Sequence, residues 1–427
     1  MERTLIKDLP SKKGEAVLLK GRIQNMRKLG AVSFTTIQDY SGSVQVVWDS
    51  EVTAKTGDAV SLNGTVKEDV RAKSGVELQG SEMKVVASSV EEYPFDITKN
   101  DLNMNLSTLL DHRTLTLRNK KVHAIFKLYD LFLRGYETAM RAEGFTEIKS
   151  PKLLSAASEG GANFFKVEYF GKSAYLAQSP QLYKQISVGA FERVFEIGST
   201  FRAEPHFTTR HVNEYISLDG EMGFIEHFTD ITAMLNKVLR NIFAQMKQEG
   251  AQYLELFGVE LPEVPEKIPH IKLAEMKKIL KEKYNHEIPD DTDIDTEGEK
   301  LAGRYAKEEL GSDFLFVTHY PMKYRPFYTK PDPESPEEAL GFDLLFNGLE
   351  IVSGGQRIHI YEDLMAALKQ KNVSTEGLEF YLETFKFAMP PHGGWGLGSE
   401  RVIQKILGLE SIKEAVLFPR DVKRLNP

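Results

Sequence analysis

An arginine, a glutamate and a basic loop stand close together at residues 195–219, and these residue types suit the binding of a nucleoside triphosphate. A hydrophobic strand leads into Arg202 and Glu204, and the loop and second strand that follow add His206, Arg210, His211, Glu214, Tyr215, Ser217 and Asp219. A guanidinium group meets phosphate oxygens with a rigid fork of donors, and an aromatic face can stack on a base. The segment therefore predicts a nucleotide site. The alternative is a salt-bridged hairpin in an ordinary antiparallel sheet.

Four further segments carry polar residues beside glycines or in short strands. They are residues 158–165 with Glu159, residues 178–185 with Gln178, Gln181, Tyr183, Lys184 and Gln185, residues 341–359 with Asp343, Glu350, Ser353 and Arg357, and residues 393–401 with Glu400 and Arg401. Gly394, Gly396 and Gly398 do not have the G-x-G-x-x-G spacing of a dinucleotide-binding turn. We expect instead a glycine-rich strand packed closely against a ligand, followed by a helix that presents Arg401.

Composition limits the classes of protein that can hold such a site. The chain has 427 residues, 41% of them hydrophobic and 27% charged, which predicts two or three globular domains. There is no run of about 18 apolar residues, no apolar core of a secretory signal and no cysteine. Disulfides and cysteine nucleophiles are therefore excluded, and a cytoplasmic location is expected. The net charge of −8 argues against indiscriminate coating of nucleic acid, although lysines and arginines cluster in the first thirty residues.

The elements that position these residues follow from turn signals and periodicity. Residues 16–90 read as five short strands, which predicts an oligonucleotide-binding (OB) barrel within a domain of residues 1–95; another small barrel is the alternative. Residues 96–120 read as a linker. Residues 121–427 begin with a helical pattern and continue as irregularly alternating strands and helices, which predicts an α+β domain built on an antiparallel sheet flanked by helices. A small helical insertion is expected around residues 250–310.

Taken in order, these segments resemble the three signature motifs of class IIb aminoacyl-tRNA synthetases, in the compact archaeal-type form of the aspartyl branch. Motif 1 would be residues 144–151, motif 2 the hairpin around Arg202 and Glu204, and motif 3 residues 396–401. The barrel resembles the anticodon-binding domain of that family. The resemblance implies an ATP-dependent ligase that joins L-aspartate to tRNA(Asp), with tRNA(Asn) left open as a second substrate. It also implies Mg²⁺ as the metal and a homodimer.

The resemblance assigns a role to each matched nucleotide-binding residue. Arg202, Glu204 and Arg401 would form the catalytic group, with Arg202 on the α-phosphate and Glu204 on the adenine amino group. Because the attacking aspartate carboxylate is already ionised near neutral pH, no histidine base is needed, and catalysis would be positioning and charge neutralisation. The other ATP-binding residues would be Arg210, His211, Tyr215 and Glu350.

Metal and aspartate residues are implied in the same way. Glu350 and Ser353 would hold Mg²⁺ through hard oxygen atoms, with Asp343 as a further acidic ligand. Arg357 and Lys184 would meet the side-chain carboxylate, which an arginine fork satisfies better than an amide. The remaining aspartate-binding residues would be Glu159, Gln181, Ser217, Asp219 and Ser353. The alternatives are an asparaginyl enzyme, an aspartate-activating paralogue and a non-catalytic RNA-binding paralogue.

Three residues of the barrel are expected to contact the anticodon. Phe34 follows the turn after the first strand, where an aromatic ring can stack on an unpaired base. Arg27 and Gln45 would add contacts to the backbone and to base edges. The alternative for Phe34 is a place in the barrel core.

Overall fold

The computed structural model describes residues 1–72, 74–155 and 163–427. The chain divides into two compact units. The first unit comprises Met1–Met104 with Arg118–Lys120, and the second comprises Asn105–Leu117 with Lys121–Pro427.

The first unit is a closed five-stranded barrel with the strand order β1-β2-β3-β5-β4. Its strands are β1 (Ala16–Leu29), β2 (Val32–Asp39), β3 (Gly42–Trp48), β4 (Ala59–Glu68) and β5 (Val76–Ala87). The first half of β1 pairs with β4 and the second half with β2, so this one strand closes the barrel. Gly21 lies near the changeover, where a Cβ atom would collide with the carbonyl oxygen of Gln38. The predicted OB barrel is confirmed.

The second unit is built on an eight-stranded sheet with the order β12-β13-β14-β15-β16-β11-β10-β6. These strands are β6 (Thr146–Glu147), β10 (Arg193–Phe201), β11 (Glu214–Gly223), β12 (His270–Lys272), β13 (Phe314–Thr318), β14 (Gly341–Phe346), β15 (Leu349–Gln356) and β16 (His392–Gly398). A smaller sheet contains β7 (Leu153–Leu154), β8 (Lys166–Tyr169) and β9 (Lys172–Leu176). The six central strands are antiparallel, as predicted, and the edge strands β6 and β12 pair in parallel.

Helices cover this unit. They are α1 (Leu106–Asp111), α2 (Arg113–Thr116), α3 (Lys120–Ala142), α4 (Gln181–Phe191), α5 (Phe228–Leu254), α6 (Leu273–Tyr284), α7 (Thr296–Leu310), α8 (Tyr361–Gln370), α9 (Glu379–Lys386) and α10 (Ser399–Leu407). In the described part of the chain, no helix has both the length and the apolar character that crossing a bilayer demands. The α+β class with a helix-flanked sheet is confirmed, whereas the exact domain bounds and the insertion around 250–310 remain predictions.

The large sheet has one apolar face and one polar face. Leu218 and Trp395 pack into a core with Phe132 and Leu239 from α3 and α5. Because successive side chains of a strand point to opposite faces, the residues between them face away from this core. On β11 those residues are Ser217, Asp219 and Glu221. The apolar face thus packs against the helices, and the side chains of the polar face can form a binding site.

Candidate functional site

A pocket of about 370 Å³ opens on the polar face of the large sheet. It brings together most of the residues that the sequence predicted for chemistry: Gln181, Lys184, Arg202, Glu204, Arg210, His211, Tyr215, Ser217, Asp219, Glu350, Ser353, Arg357 and Arg401. Asp343 pairs in register with Ser353 on the neighbouring strand. Glu159 lies outside the described residues.

Glycines on β16 make room for the polar side chains of β11. Gly398, Gly396 and Gly394 lie directly opposite Ser217, Asp219 and Glu221 in the ladder. A Cβ atom at Gly394 would collide with the carboxylate of Glu221 and with the carbonyl oxygen of Gly220. The alternate glycines were predicted to pack against a ligand, and at Gly394 the close neighbour is instead this carboxylate of the chain.

Motif 2 places a cation, an acid and an aromatic ring on one side of the pocket. The Arg202 guanidinium lies 5.8 Å from the centre of the Tyr215 ring, and its Nη1 lies 4.0 Å from Glu204 Oε1. His211 Nε2 lies 3.4 Å from Glu204 Oε2. Burial and the neighbouring arginines lower the pKa of His211, although the Glu204 carboxylate acts in the opposite direction. The lowered pKa favours the neutral ring. The arrangement offers a phosphate-binding fork beside a surface on which a base can stack.

Arg401 and Glu350 face each other on the other side. Arg401 Nη1 donates to the carbonyl oxygen of Glu350 at 2.8 Å and lies 3.7 Å from its carboxylate. Partial burial and the nearby Asp343 carboxylate raise the pKa of Glu350 to about 7. A carboxylate with too little compensating positive charge is one that a bound cation would stabilise.

The donor set around Glu350 fits a hard divalent cation at two of the three predicted ligands. Glu350 and Ser353 both offer oxygen atoms to the pocket. Asp343 is already bound by Arg325, whose Nη2 and Nη1 donate to its two oxygens at 2.8 and 3.2 Å. Arg325 Nη1 also donates to Ser353 Oγ at 3.1 Å. Within the described residues no group of three or more His, Cys, Asp or Glu side chains could hold a metal alone. A cation here would need further oxygens from the nucleotide.

At and just behind the floor of the pocket lie two buried cations and two buried carboxylates. Lys184 Nζ donates to Asp219 Oδ1 at 3.0 Å and to the carbonyl oxygen of Trp395 at 2.9 Å. It also lies 3.2 Å from Glu221 Oε2. Arg357 Nε donates to Glu221 Oε1 at 2.8 Å. Sequence reasoning missed Glu221, although its position two residues after Asp219 on a strand places it on the same face.

Gln181 belongs to a chain of hydrogen bonds behind the pocket. Its amide nitrogen donates to Gln185 Oε1 at 3.0 Å, and the amide nitrogen of Gln185 lies 2.8 Å from His392 Nε2. Burial lowers the pKa of His392 to about 4, so the ring is neutral, and Nδ1 donates to the carbonyl oxygen of Pro390 at 2.9 Å. Nε2 must then accept from Gln185. This chain of hydrogen bonds uses the amide nitrogen of Gln181 and leaves its oxygen to accept a hydrogen bond in the pocket.

The motif 2 loop is held by helix α7. Arg210 Nη2 lies 2.5 Å from Glu299 Oε2, and Nη1 donates to Thr296 Oγ1 at 2.9 Å. Both partners lie in the segment that the sequence predicted as a surface insertion, so Glu299 was missed. The helix carries both acidic and basic residues, and nothing in the sequence singles out Glu299.

On the barrel, Arg27 contacts both of the other predicted anticodon residues. The Arg27 guanidinium lies 4.7 Å from the centre of the Phe34 ring, and Arg27 Nη2 donates to Gln45 Oε1 at 3.0 Å. Ser33 and Thr35 are buried while Phe34 is half-buried, so the ring faces outward and is not part of the barrel core. The structure therefore provides an aromatic ring with a cation and an amide beside it.

Comparison with known proteins gives two family matches. Residues 105–422 match the family of class II tRNA synthetases (D, K and N), and residues 17–86 match the OB-fold nucleic acid binding domain.

Individual relatives span the whole chain. The chain is 43% identical over 432 residues to an aspartate–tRNA(Asp/Asn) ligase of Deinococcus radiodurans, covering 100% of this chain and 99% of that protein. It is 44% identical over 425 residues to the ligase of the same name from Thermus thermophilus, covering 100% of both. Among solved structures, the asparaginyl-tRNA synthetase of Pyrococcus horikoshii complexed with asparaginyl-adenylate superposes with a TM-score of 0.92 at 29% identity, covering 100% of both chains.

Proposed function

The chain belongs to the class II tRNA synthetases of the D, K and N group, and from this premise we propose that it is an aspartate–tRNA ligase. The observation that carries the proposal is the floor of the pocket. There the buried cations Lys184 and Arg357 can meet a substrate carboxylate, in the same pocket as Arg202 and Arg401, which would bind phosphate. This geometry suits an amino acid with an anionic side chain that reacts with ATP.

In the first reaction, the α-carboxylate of aspartate attacks the α-phosphorus of ATP. A mixed anhydride, aspartyl-adenylate, forms and pyrophosphate leaves. Arg202 would bind the α-phosphate and the attacking carboxylate, so that their mutual repulsion is reduced in the transition state. Glu204 would accept from the adenine amino group, and the base would lie between Tyr215 and Arg401. No proton transfer is needed because the nucleophile is ionised.

We propose Mg²⁺ as the divalent cation, held by Glu350 and Ser353. When bound, it would neutralise charge on the phosphates of ATP. Asp343 would lie behind the metal ligands and would not bind the cation directly, because Arg325 already donates to both of its oxygens. Arg210 and His211 would bind the outer phosphates or the acceptor end of the tRNA.

The amino group of the substrate needs acceptors, and the pocket supplies several. Asp219 and Ser217 lie side by side, with the Ser217 hydroxyl donating to Asp219 Oδ2 at 2.6 Å. The Gln181 oxygen adds a neutral acceptor, and Ser353 lies at the wall of the same pocket. Glu159 is proposed as a further acceptor on the strength of the sequence resemblance alone.

In the second reaction, a hydroxyl of the 3′-terminal adenosine of the tRNA attacks the carbonyl carbon of aspartyl-adenylate and AMP leaves. The barrel would bind the anticodon through Arg27, Phe34 and Gln45. We also propose a homodimer formed through residues 144–151, a cytoplasmic location, and an anticodon-binding domain of residues 1–95.

Aspartate is favoured over asparagine as the substrate by identity and by chemistry. The two full-length relatives at 43% and 44% identity are both named aspartate ligases. A guanidinium group facing a side-chain amide would meet a donor and lose a charge-assisted bond.

Charging of purified tRNA(Asp) and tRNA(Asn), side by side with aspartate and with asparagine, tests this proposal. We expect aspartate to be attached to tRNA(Asp). Because both relatives are named for the two tRNAs, tRNA(Asn) is the second candidate substrate. Attachment of asparagine in place of aspartate would overturn the roles given to Arg357 and Lys184.

A further inference from the structure

We propose that Glu221 is a positioning residue that fixes the orientation of Arg357 and Lys184 and thereby sets the preference for a side-chain carboxylate over an amide. This inference rests on the proposed function, because it concerns the same substrate and the same pocket. It adds a residue that does not touch the substrate. Among the described residues that line the pocket are Lys184, Asp219 and Arg357, but not Glu221.

Both oxygens of Glu221 are used by the two cations. Oε1 accepts from Arg357 Nε at 2.8 Å, and Oε2 lies 3.4 Å from Arg357 Nη2 and 3.2 Å from Lys184 Nζ. The Glu221 side chain is fully buried, with 0% of its surface exposed. Burial alone would raise the pKa of Glu221, but Arg357 and Lys184 outweigh it and the pKa lies below its usual range, so the group is an anion.

Glu221 determines which edge of the Arg357 guanidinium faces the substrate. The edge formed by Nε and Nη2 lies on Glu221, and Nη2 also donates to the carbonyl oxygen of Gly394 at 3.1 Å. Within the described part of the chain, Nη1 has no hydrogen-bond partner, and Arg357 lines the pocket. A planar guanidinium held by one edge can present only the other edge, so the pocket receives N–H donors in a fixed position.

Lys184 is also restrained by its contacts. Two of its three ammonium donors go to Asp219 and to the Trp395 carbonyl oxygen, and the third is available to Glu221, whose Oε2 lies 3.2 Å from Nζ, or to a substrate carboxylate. The flexible lysine is therefore held in a single place, only 2% exposed. Among the residues that the structure describes, Glu221 alone forms a hydrogen bond or an ion pair with both cations, and it fixes their separation.

The charges of the floor explain why orientation affects selectivity. Before the substrate binds, the positive charges of Lys184 and Arg357 are balanced by the negative charges of Asp219 and Glu221. The attraction for an anionic side chain therefore depends on the direction in which the N–H donors point. A preorganised donor edge rejects an amide because the amide nitrogen would face N–H groups without an acceptor. An Arg357 side chain that could rotate would tolerate either substrate.

The test is Glu221→Gln in the full-length chain, assayed by aspartate-dependent exchange of pyrophosphate into ATP. We expect the KM for aspartate to rise roughly 10- to 100-fold, by analogy with the cost of losing the hydrogen-bond partner behind a metal ligand. The KM for ATP should stay within about twofold of the parent, since the ATP side of the pocket is untouched. The ratio of kcat/KM for aspartate to that for asparagine should fall.

Glu196→Gln is the matched control. Glu196 is a buried glutamate on the adjacent strand β10, 2% exposed, and its carboxylate accepts from Lys152 at 2.7 Å and from the Ser150 hydroxyl at 2.6 Å. Its loss should lower the melting temperature without changing the KM for aspartate. A merely structural Glu221 would behave in the same way as this control.

The outcomes separate this inference from the proposed function. An active parent with Glu221→Gln unchanged in the KM for aspartate and in selectivity, or binding aspartate more tightly, would contradict the positioning role and leave the proposed function intact. A parent that activates no aspartate would instead overturn the proposed function. If Glu221→Gln does not fold, Glu221→Asp keeps the charge on a shorter side chain, and a KM equal to that of the parent would again contradict the inference.

Discussion

The guanidinium of Arg357 combines a charge with a shape, and the two can be separated experimentally. Arg357→Lys keeps the positive charge but replaces the planar fork with a single ammonium point. We expect the KM for aspartate in pyrophosphate exchange to rise at least about tenfold, with the KM for ATP nearly unchanged. Arg304→Lys serves as the control, because Arg304 lies on the exposed face of α7 and pairs with Glu308. An unchanged KM for aspartate in Arg357→Lys would show that charge alone is recognised.

Glu350 provides a pH test of the cation site. Its folded pKa of about 7 lies above the ordinary value of 4.5, because burial and Asp343 oppose ionisation. Only the ionised carboxylate binds a cation well, so the affinity for Mg²⁺ should weaken as the pH falls from 8 to 6, by roughly tenfold for each unit below the pKa. Titrating Mg²⁺ into the exchange assay at several pH values measures this. In Glu350→Gln the pH dependence should disappear, and its persistence there would assign it to another group.

The raised pKa of Glu350 also predicts how the stability of the fold depends on pH. A carboxyl group whose pKa is raised by folding binds its proton more tightly in the folded state than in the unfolded state. Without metal and nucleotide, its contribution to stability is therefore present below about pH 4.5 and is lost as the pH rises to about 7. Because 36% of the Glu350 side chain is exposed, solvent screens part of this effect.

At the scale of elements, helix α7 competes with ATP for the side chain of Arg210 in the motif 2 loop. Glu299 holds Arg210 at 2.5 Å, so ATP phosphates that recruit Arg210 must first displace this carboxylate. Glu299→Gln should therefore lower the KM for ATP by about two- to tenfold, in line with the loss of a partly buried ion pair. Glu297→Gln is the control on the same helix, where the side chain is exposed and pairs with Lys300. A KM for ATP that rises in Glu299→Gln would show that Arg210 works while bound to α7.

The barrel strands β1, β2 and β3 present Arg27, Phe34 and Gln45 on one outer surface. Phe34→Ala should raise the KM for tRNA by roughly 10- to 100-fold, because stacking on an unpaired base is worth about 1–3 kcal/mol. Pyrophosphate exchange, which needs no tRNA, should not change. Tyr40→Ala removes a 70% exposed aromatic residue from the next turn and serves as the control. Equal damage to both assays would show that Phe34 supports the fold instead.

The sequence predicted the motif residues of the site but not the residues that restrain them. Alternation along β11 and the glycines of β16 were visible as patterns, and the motifs placed Arg202, Glu204 and Arg401 correctly in one pocket. The partners that restrain these side chains were not visible. Glu221 and Arg357 are separated by 136 residues, and Arg210 and Glu299 by 89. Pairing at that distance depends on how strands and helices are arranged in space, which the local pattern of one chain does not contain.

At the scale of the whole molecule, a net charge of −8 must coexist with binding to a polyanion. The net charge does not favour binding of tRNA, so binding should depend on local cations such as Arg27 and its neighbours in the first thirty residues. Such contacts release counterions, so affinity for nucleic acid falls steeply as salt rises. The pocket proposed for aspartate activation contains ion pairs that are largely buried, where screening by salt is weak.

Salt should therefore separate the two half-reactions. Between about 50 and 200 mM KCl, we expect the KM for tRNA to rise roughly tenfold or more, while the KM for aspartate in pyrophosphate exchange changes far less. Arg27→Gln should reduce the slope of log KM against log salt by about one, because one phosphate contact is lost. The slope is read from charging assays at four or five salt concentrations. If both activities fell together with salt, the sensitive charges would lie in the catalytic pocket, and the barrel would not be the electrostatic anchor for tRNA.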